Sequence, residues 1–414
     1  MAVIRPFRAL RPTKETAARV AALPYDVYNT AEAREVVKAE PMSFLGIDRA
    51  ETAFPEGQDL YAPEVYAKAD EMLRQAESEG IMQQDQKACY YLYELTMEGR
   101  VQTGLVACSS VDDYLNGVIR KHENTLEAKE QDRIRHVDTC SAQTGPIFLA
   151  YRAQDAIREL VQNIRENQPA EQDFTSDDGI RHRVFLISDD AQIAAISDAF
   201  AQVECTYIAD GHHRAASAVK VSLMRRKEHP DYTGEEEFNY FLSVLFPDEE
   251  LKIMDYNRVL KDLSGLTQNE MLEKLCEKCY LEMALESPYH PEKKGEMGFL
   301  MDGQWYRLQA RPDFIKEDPV GALDVSFLQR EILTPVWKID DPRTDSRIDF
   351  VGGIRGLEEL ERRCENGCAA AFAMYPTSIE ELLEVADANL LMPPKSTWFE
   401  PKLRSGLFIH KIER

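Results

Sequence analysis

The stretch from Cys205 to Lys220 reads Cys-Thr-Tyr-Ile-Ala-Asp-Gly-His-His-Arg-Ala-Ala-Ser-Ala-Val-Lys, and it predicts a short apolar strand that turns directly into a helix. The turn falls at Asp210 and Gly211, where glycine permits a sharp change of direction. Further along, Ala216, Val219 and Leu223 recur at helical spacing and give the helix one apolar face. We expect this strand-turn-helix segment to be the active-site segment.

The predicted helix begins with His212, His213 and Arg214. A helix N-terminus presents backbone N–H groups without intrahelical partners and a partial positive charge, so it suits an anion, and phosphate is the expected one. Gly211 lets a ligand approach the backbone, and Asp210 lies where a strand commonly delivers a carboxylate to a crevice. The alternative is that the two histidines only cap the helix.

Composition limits the classes of protein to consider. The 414 residues are 44% apolar with 20 Gly and 20 Pro, which is typical of a globular protein of two or three domains. No apolar run reaches membrane-spanning length, no signal-peptide core is present, and the eight cysteines are scattered, so we expect a cytoplasmic protein with no membrane partner. The net charge of −24 makes a nucleic acid an unfavourable partner. The oligomeric state is not indicated.

Strand-like and helix-like segments alternate along the chain and predict an α+β (mixed α/β) fold. The predicted strands cover residues 3–10, 88–97, 101–109, 146–151, 238–246, 251–255, 298–302, 305–310, 369–375 and 406–410. The predicted helices cover 30–39, 62–79, 153–166, 267–279, 325–334 and 357–364, with others beginning at 212 and 377, and residues 167–179 are expected to form a loop. We place a domain boundary near residue 235, between regions 1–235 and 236–414.

Three other segments carry functional polarity. His122 and Glu123, beside Lys121, offer an acid–base pair among cations, although Asn124 with Glu127 also resembles a plain helix cap. Residues 340–350 alternate carboxylates and guanidiniums, either as a structural ion network or as a substrate clamp. Residues 392–402 contain a Pro-Pro entry followed by Lys395, Ser396 and Thr397, which suits either an anion contact or a proline-kinked edge segment.

Four motifs together resemble a large bacterial family catalogued as domain of unknown function 1015, over essentially the whole chain. They are Tyr-Ile-Ala-Asp-Gly-His-His-Arg (207–214), Lys-His-Glu-Asn-Thr (121–125), Arg-Ile-Asp-Phe-Val-Gly-Gly (347–353) and Met-Pro-Pro-Lys-Ser-Thr-Trp-Phe (392–399). The first is similar to a signature of the ParB, sulfiredoxin and free-serine-kinase superfamily, in which such a turn holds nucleotide phosphates. The resemblance implies a ParB/sulfiredoxin-like nucleotide-binding core with an additional C-terminal α+β region.

This resemblance, together with the residue types, implies an ATP- or ADP-dependent, Mg²⁺-assisted kinase acting on a small hydroxyl-containing metabolite such as serine. The expected catalytic residues are Asp210, His212, Glu123 and Asp26, with Asp210 also the metal ligand. The expected nucleotide-binding residues are Gly211, His213, Arg214, Lys121, His122, Lys395, Ser396 and Thr397.

Four alternatives remain open at this stage. They are a non-catalytic nucleotide sensor, a ParB-like DNA-associated protein, a sulfiredoxin-like enzyme using Cys140 or Cys205, and a metal-dependent hydrolase. The acidic surface disfavours the DNA-associated protein. Adjacent histidines rarely ligate one ion, which disfavours the hydrolase.

Overall fold

The structure is a computed structural model, and it describes residues 1–413. Its strands are β1 Ile4–Arg5, β2 Leu10–Pro12, β3 Met82–Gln84, β4 Tyr90–Met97, β5 Arg100–Ser110, β6 Ile119–Arg120, β7 Ala142–Gln143, β8 Ile147–Tyr151, β9 Gln172–Thr175, β10 Arg181–Ile187, β11 Thr206–Asp210, β12 Tyr240–Pro247, β13 Ile253–Met254, β14 Tyr256–Leu260, β15 Cys279–Met283, β16 Glu296–Met301, β17 Gln304–Ala310, β18 Ile348–Gly352, β19 Ala370–Met374, β20 Trp398–Phe399 and β21 His410–Lys411.

The α-helices are α1 Ala17–Val20, α2 Thr30–Ala39, α3 Leu45–Asp48, α4 Pro63–Ser78, α5 Val111–Leu115, α6 Glu127–Cys140, α7 Asp155–Asn167, α8 Asp190–Phe200, α9 His212–Glu228, α10 Gln268–Lys278, α11 Asp324–Phe327, α12 Glu358–Glu365 and α13 Ile379–Asp387. These elements confirm the predicted mixed α+β class. Within residues 1–413, no helix is both long and apolar enough to cross a membrane.

The chain forms two compact units. The first contains residues 1–120, 125–251 and 401–414, and the second contains residues 121–124 and 252–400. The predicted division into domains 1–235 and 236–414 stays a prediction, and its last residue lies outside the described part of the chain.

The first unit is built on a nine-stranded sheet in the order β6-β11-β8-β12-β5-β4-β10-β9, with β1 also paired to β5. Strand β11 is parallel to β6 and antiparallel to β8, so the sheet is mixed. Its core joins strand residues such as Leu92, Leu149 and Ile208 to Ile157 of α7 and Ala215 of α9. The helix that carries the predicted site is therefore fixed to the sheet by its apolar face.

The second unit is built on a six-stranded antiparallel sheet in the order β15-β17-β16-β19-β14-β18. Trp305, Leu300 and Leu360 are among its buried core residues. Strands β13 and β20 form a separate pair in the same unit.

Several element predictions were wrong. The strand predicted over 3–10 is broken into β1 and β2, because Pro6 between them has no N–H for a ladder. The loop predicted over 167–179 contains β9, which pairs with the unpredicted β10. Of the strand predicted over 406–410, only His410 lies in a strand, which is β21 and pairs with β7.

Two helix predictions also need correction. Helix α6 begins after Leu126, which makes no side-chain cap hydrogen bond, so the predicted cap by Asn124 is wrong. The helix predicted over 325–334 is α11 continued by a π-helical segment, Leu328–Trp337, that contains Pro335. Proline has no N–H and clashes with the preceding turn, which is consistent with departure from α geometry here.

Candidate functional site

The predicted strand-turn-helix is confirmed as β11, Gly211 and α9. Gly211 has φ +93, a conformation that favours glycine. As the N-cap residue of α9 it has no side chain with which to cap the helix. The pairing of β11 with β8 shifts register between Ile208 and Asp210, as in a β-bulge. Bulges re-aim side chains beside functional sites, and here the bulge directly precedes Asp210.

Asp210 lies among cations. Its Oδ2 atom is 3.4 Å from Lys402 Nζ and 3.6 Å from Arg214 Nη2, and its Oδ1 atom accepts a hydrogen bond from the Gly211 N–H at 2.9 Å. Burial raises the pKa of Asp210, but the charges of Lys402, Arg214 and His212 outweigh it and hold the pKa well below its usual range. Asp210 is therefore a permanent anion, suited to holding cations and poorly suited to accepting a proton.

Arg214 is fixed across the N-terminus of α9. Its side chain is 12% exposed, and Nη1 donates to the Pro146 carbonyl at the start of β8. A Cβ atom on Gly211 would lie 3.0 Å from Arg214 Nε, and one on Gly145 would lie 3.3 Å from its Cδ atom. The two glycines thus leave the space that the guanidinium occupies.

The two histidines of the turn lie in different environments. His212 is buried and close enough to Asp210 to affect its pKa. His213 Nε2 accepts a hydrogen bond from the Leu126 N–H at 3.0 Å, which describes a neutral ring with Nε2 unprotonated. Ser217 Oγ, one turn later, donates to the His213 carbonyl. His213 therefore joins α9 to the first turn of α6.

A pocket of about 230 Å³ lies in the first unit. Its lining includes Tyr25, Asp26, Asp48, Arg133 and His136. A smaller space of about 30 Å³ shares four of these residues, all but Asp26, and continues to Arg214 and Thr144. The two spaces therefore share a wall, with the exposed Asp26 lining the larger one and Arg214 the smaller one.

Arg133 is the principal buried cation of the pocket. Its guanidinium lies 4.0 Å from the ring centroid of Tyr25, and its Nη2 atom is 2.8 Å from Asp132 Oδ2. The other carboxylate oxygen of Asp132 accepts a hydrogen bond from Tyr66 Oη at 2.9 Å. Although burial lowers the pKa of Arg133, the neighbouring Tyr25, Asp132 and Asp48 raise it further, so the group stays charged.

Three further pocket residues, Tyr25, His136 and Asp48, offer polar groups. Burial raises the pKa of Tyr25 to about 12, so its phenol keeps its proton. Burial and the charge of Arg133 lower the pKa of His136, whose Nε2 atom lies 3.2 Å from the Ile47 carbonyl oxygen. Asp48 accepts a hydrogen bond from Thr144 Oγ1 at 2.8 Å. The pocket therefore offers donors and fixed charges to a small polar ligand.

The turn that carries Asp26 is held by contacts to its backbone. Asp26 lies in a 3-10 turn, Tyr25–Val27, and Arg49 donates to the carbonyl oxygens of Tyr25 at 3.1 Å and Tyr28 at 2.7 Å. Arg49 is itself paired with Glu51 at 2.6 Å. The turn is anchored while the Asp26 side chain stays exposed.

The other predicted site residues lie in the second unit. Lys121, His122 and Glu123 are joined there to the 392–399 segment, because the Met392 N–H donates to the His122 carbonyl at 2.8 Å. Ser396 is buried and its Oγ atom donates to the Pro393 carbonyl at 2.6 Å, while the Lys395 carbonyl accepts from Arg258. Thr397 is half-buried beside them. Two of the four predicted motifs thus meet within one unit.

Sequence reasoning missed Lys402 and the pocket residues Asp48 and His136. Lys402 follows Glu-Pro in a segment whose polarity was assigned to Lys395, Ser396 and Thr397. No local pattern links Lys402 to Asp210, since 192 positions separate them. Asp48 and His136 occupy buried helical positions where a structural role is the ordinary expectation.

A family model described as "Protein of unknown function (DUF1015)" matches residues 4–326. No curated protein matches the sequence.

Three solved structures are similar to the chain. A free serine kinase in complex with AMP is 13% identical, with a TM-score of 0.38, covering 75% of this chain and 91% of that one. A conserved hypothetical protein from Pyrococcus furiosus is 13% identical, with a TM-score of 0.36 and coverages of 74% and 94%. SbnI with a C-terminal truncation, from Staphylococcus aureus, is 11% identical, with a TM-score of 0.36 and coverages of 74% and 87%. At these scores the three structures carry no functional inference for this chain.

Proposed function

Since the chain belongs to the DUF1015 family, whose function is unknown, we propose an activity from the site itself: it binds ATP or ADP at the N-terminus of α9 and transfers phosphate to a small hydroxyl-containing metabolite such as serine. The observation that carries the proposal is that the space beside Arg214 and the pocket lined by Asp26 share lining residues. Arg214, at the N-terminus of α9, lines a small space that shares Arg133 with the larger pocket lined by Asp26. A phosphate donor and a small acceptor need this kind of adjacency.

In the proposed mode, nucleotide phosphates lie against the first N–H groups of α9, and Arg214 neutralises charge that develops on the transferred group. Gly211 permits the close backbone approach and His213 orients the helix start. The ParB/sulfiredoxin-like description of this core is part of the proposal. So is a bacterial cytoplasmic setting, which is consistent with cysteines that are all free among the described residues.

Asp210 fits a Mg²⁺ ligand better than a base. Mg²⁺ is commonly held by one or two carboxylates together with substrate phosphates, and Asp210 is an ionised, one-third-exposed carboxylate at the helix start. The ion, when bound, would offset phosphate charge. His212 and Arg214 flank the same carboxylate and would hold its orientation.

For the transfer, we assign the general base to Asp26. The acceptor oxygen forms a bond to phosphorus while the bond from phosphorus to the nucleotide oxygen breaks, and the acceptor proton passes to the Asp26 carboxylate. Asp26 is exposed and lines the same pocket as the buried Arg133. We assign to Arg133 and the Tyr25 phenol, which line the same pocket, the binding of the acceptor's polar groups.

The second-unit residues keep their proposed roles. Glu123 is a further candidate base, and Lys121, His122, Lys395, Ser396 and Thr397 are candidate phosphate contacts. Their proposal rests on the meeting of the 121–124 and 392–397 segments in one unit. Substituting Lys121 and Lys395 together with alanine is expected to raise the KM for nucleotide.

The direct test incubates the full-length protein with Mg²⁺ and ATP or ADP beside a panel of free amino acids and polyols. Mass spectrometry follows phosphorylated products. We expect one acceptor to gain phosphate, and Asp26→Asn to reduce the rate about 100-fold or more, the scale of general-base catalysis. Nucleotide binding without any product would contradict the transfer and leave a nucleotide sensor.

A further inference from the structure

A pocket of about 370 Å³ in the first unit is separate from the site above. Its lining includes Tyr151 at the C-terminal end of β8, which pairs with Thr206 at the start of β11. The candidate site lies at the other end of the same strands, where Phe148 pairs with Asp210. This volume falls within the range of small-molecule sites.

The pocket floor is a row of side chains across neighbouring strands. Arg183 on β10 pairs with Glu94 on β4, and Glu94 pairs with Thr103 on β5. Directly paired residues project from the same face of a sheet, so these groups lie side by side. Helix α7 contributes Arg158 and Arg165 to the lining.

Two guanidiniums of the pocket lining, those of Arg165 and Arg183, contact one buried carboxylate. Arg165 Nε and Arg183 Nε donate to the two oxygens of the same carboxylate, Glu94, at 2.6 Å and 2.7 Å. The Glu94 side chain is 1% exposed, whereas those of the arginines are 31% and 26% exposed. Two guanidiniums that share one buried carboxylate keep donors for a further anion.

Two carboxylates of the pocket lining, Glu249 and Glu250, follow the end of β12. Glu249 accepts from Arg158 at 2.8 Å, and Glu250 Oε2 accepts from the Thr103 N–H at 2.6 Å. Burial and the nearby carboxylates of Glu249 and Glu94 raise the pKa of Glu250, although the Thr103 N–H and Arg165 oppose the shift. A cation near these carboxylates would relieve their repulsion.

The pocket lining also includes a residue with a buried hydroxyl, Thr103. Within residues 1–413, Thr103 Oγ1 is buried and has no hydrogen-bond partner, and Thr103 lines the pocket at 3% exposure. An unsatisfied buried hydroxyl is costly, so a ligand that bonds to it gains affinity. The remaining lining includes the apolar Val161, Pro247 and the Tyr151 ring.

We propose that this pocket binds a free α-amino acid with an apolar side chain, whose carboxylate contacts Arg165 and Arg183 and whose ammonium group contacts Glu249 and Glu250. The lining carries both guanidiniums and carboxylates, which match a zwitterion and disfavour a phosphate, which carries net negative charge. The Thr103 hydroxyl bonds to the ligand's polar end, and its side chain lies along Val161 and Tyr151. This site is additional to the proposed acceptor site.

The test titrates glycine, valine, leucine, serine, aspartate and lysine into the full-length protein, followed by calorimetry and ligand-observed NMR. We expect valine or leucine to bind, and their N-acetyl and methyl-ester derivatives, which each lack one charge, to bind at least about tenfold more weakly. Equal binding of the singly charged derivatives, or no amino acid bound at millimolar concentration, would overturn the proposal.

Two variants locate the site. Thr103→Val removes the hydroxyl at nearly constant volume and is expected to weaken amino-acid binding about tenfold while leaving ATP binding unchanged. Arg165→Lys keeps the charge but loses the planar fork, and is expected to weaken binding as well. Arg74→Gln, at an exposed ion pair on α4, is the control and should bind like the unmodified chain. If both pocket variants bind normally, the amino acid occupies another place and the assignment is wrong.

Discussion

At the residue scale, the site depends on a carboxylate that does not titrate in the physiological range. Lys402, Arg214 and His212 keep Asp210 ionised in spite of its burial. Its partners come from α9 and from the C-terminal segment, so one charge connects two distant parts of the first unit. The same cations that depress its pKa make it a weak base, which is why the transfer chemistry is assigned to Asp26.

Asp210→Asn should lower the free energy of unfolding at about pH 5 by about 1 kcal/mol, a small value because the partly exposed ion pairs are screened by solvent. The folded pKa lies below the unfolded value of about 3.9, so this contribution is complete above about pH 4 and is lost on further acidification. Urea unfolding of both proteins at about pH 5 and about pH 3 measures it. A difference that grows on acidification would contradict the assignment.

A second residue-scale prediction concerns His182 on β10. It is fully buried, stacked between Phe174 and Tyr93 at centroid distances of 5.1 Å and 5.9 Å. Burial, with the charge of Arg404, lowers its pKa to about 3. The unfolded state therefore takes up a proton below about pH 6.5 that the folded state refuses, and stability falls as the pH drops from that value toward 3.

His182 alone should remove about 2 kcal/mol of stability between about pH 6.5 and about pH 5. His182→Gln keeps a polar side chain without the titration, so its unfolding free energy should depend less steeply on pH over that window. Urea unfolding at matched pH values gives the slopes. Equal slopes for the two proteins would show that folding does not change the pKa of His182, which would contradict the prediction.

At the element scale, the strand-turn-helix at the site was predictable because its signals are local. Apolar residues end at Asp210, glycine supplies the positive φ, and helical spacing begins at once. Elements that depend on distant partners were not predictable. Strand β9 is polar and pairs with β10, and α6 begins after Leu126, whose N–H donates to the distant His213.

Gly211→Ala should impair nucleotide binding as well as stability. Positive φ costs a non-glycine residue about 1–2 kcal/mol, and the new Cβ would press on the Arg214 guanidinium, 3.0 to 3.2 Å away. Gly80→Ala after α4 is the matched control, since Gly80 has φ +74 and its Cβ would meet no heavy atom within 4 Å.

Both glycine variants should lose similar stability in thermal unfolding, but only Gly211→Ala should bind ATP more weakly. Fluorescence titration of a labelled nucleotide compares them. If the two variants lose binding to the same degree, the effect is one of backbone strain and not of the contact with Arg214.

At the scale of the whole molecule, the C-terminal segment returns to the first unit and completes it. Residues 401–413 bring Lys402 to Asp210 and Arg404 to Asp178, and they bury Leu407, Phe408 and Ile409. None of this was visible in the sequence, because the partners lie about two hundred positions away. The mixed α+β class and the main site segment were predictable, whereas the closure of the unit by its own C-terminus was not.

Deleting residues 401–414 should prevent the first unit from folding. Each large buried side chain contributes about 2–5 kcal/mol, so the loss of three removes about 6–15 kcal/mol, as much as the usual net stability of about 5–15 kcal/mol. Circular dichroism and limited proteolysis of the truncated protein test this. Lys402→Ala is the control and is expected to fold. A truncated chain that still folds cooperatively would contradict the role of the segment.

The central claim is that the start of α9 binds nucleotide phosphates through Arg214. Calorimetric titration of ATP with Mg²⁺ into the unmodified protein, Arg214→Lys and Lys227→Ala tests it most directly, because Lys227 is an exposed cation at the far end of the same helix. The account predicts one nucleotide site, affinity reduced about tenfold or more in Arg214→Lys, and affinity nearly unchanged in Lys227→Ala. Absence of ATP and ADP binding in the unmodified protein, or equal affinity in all three, would contradict it.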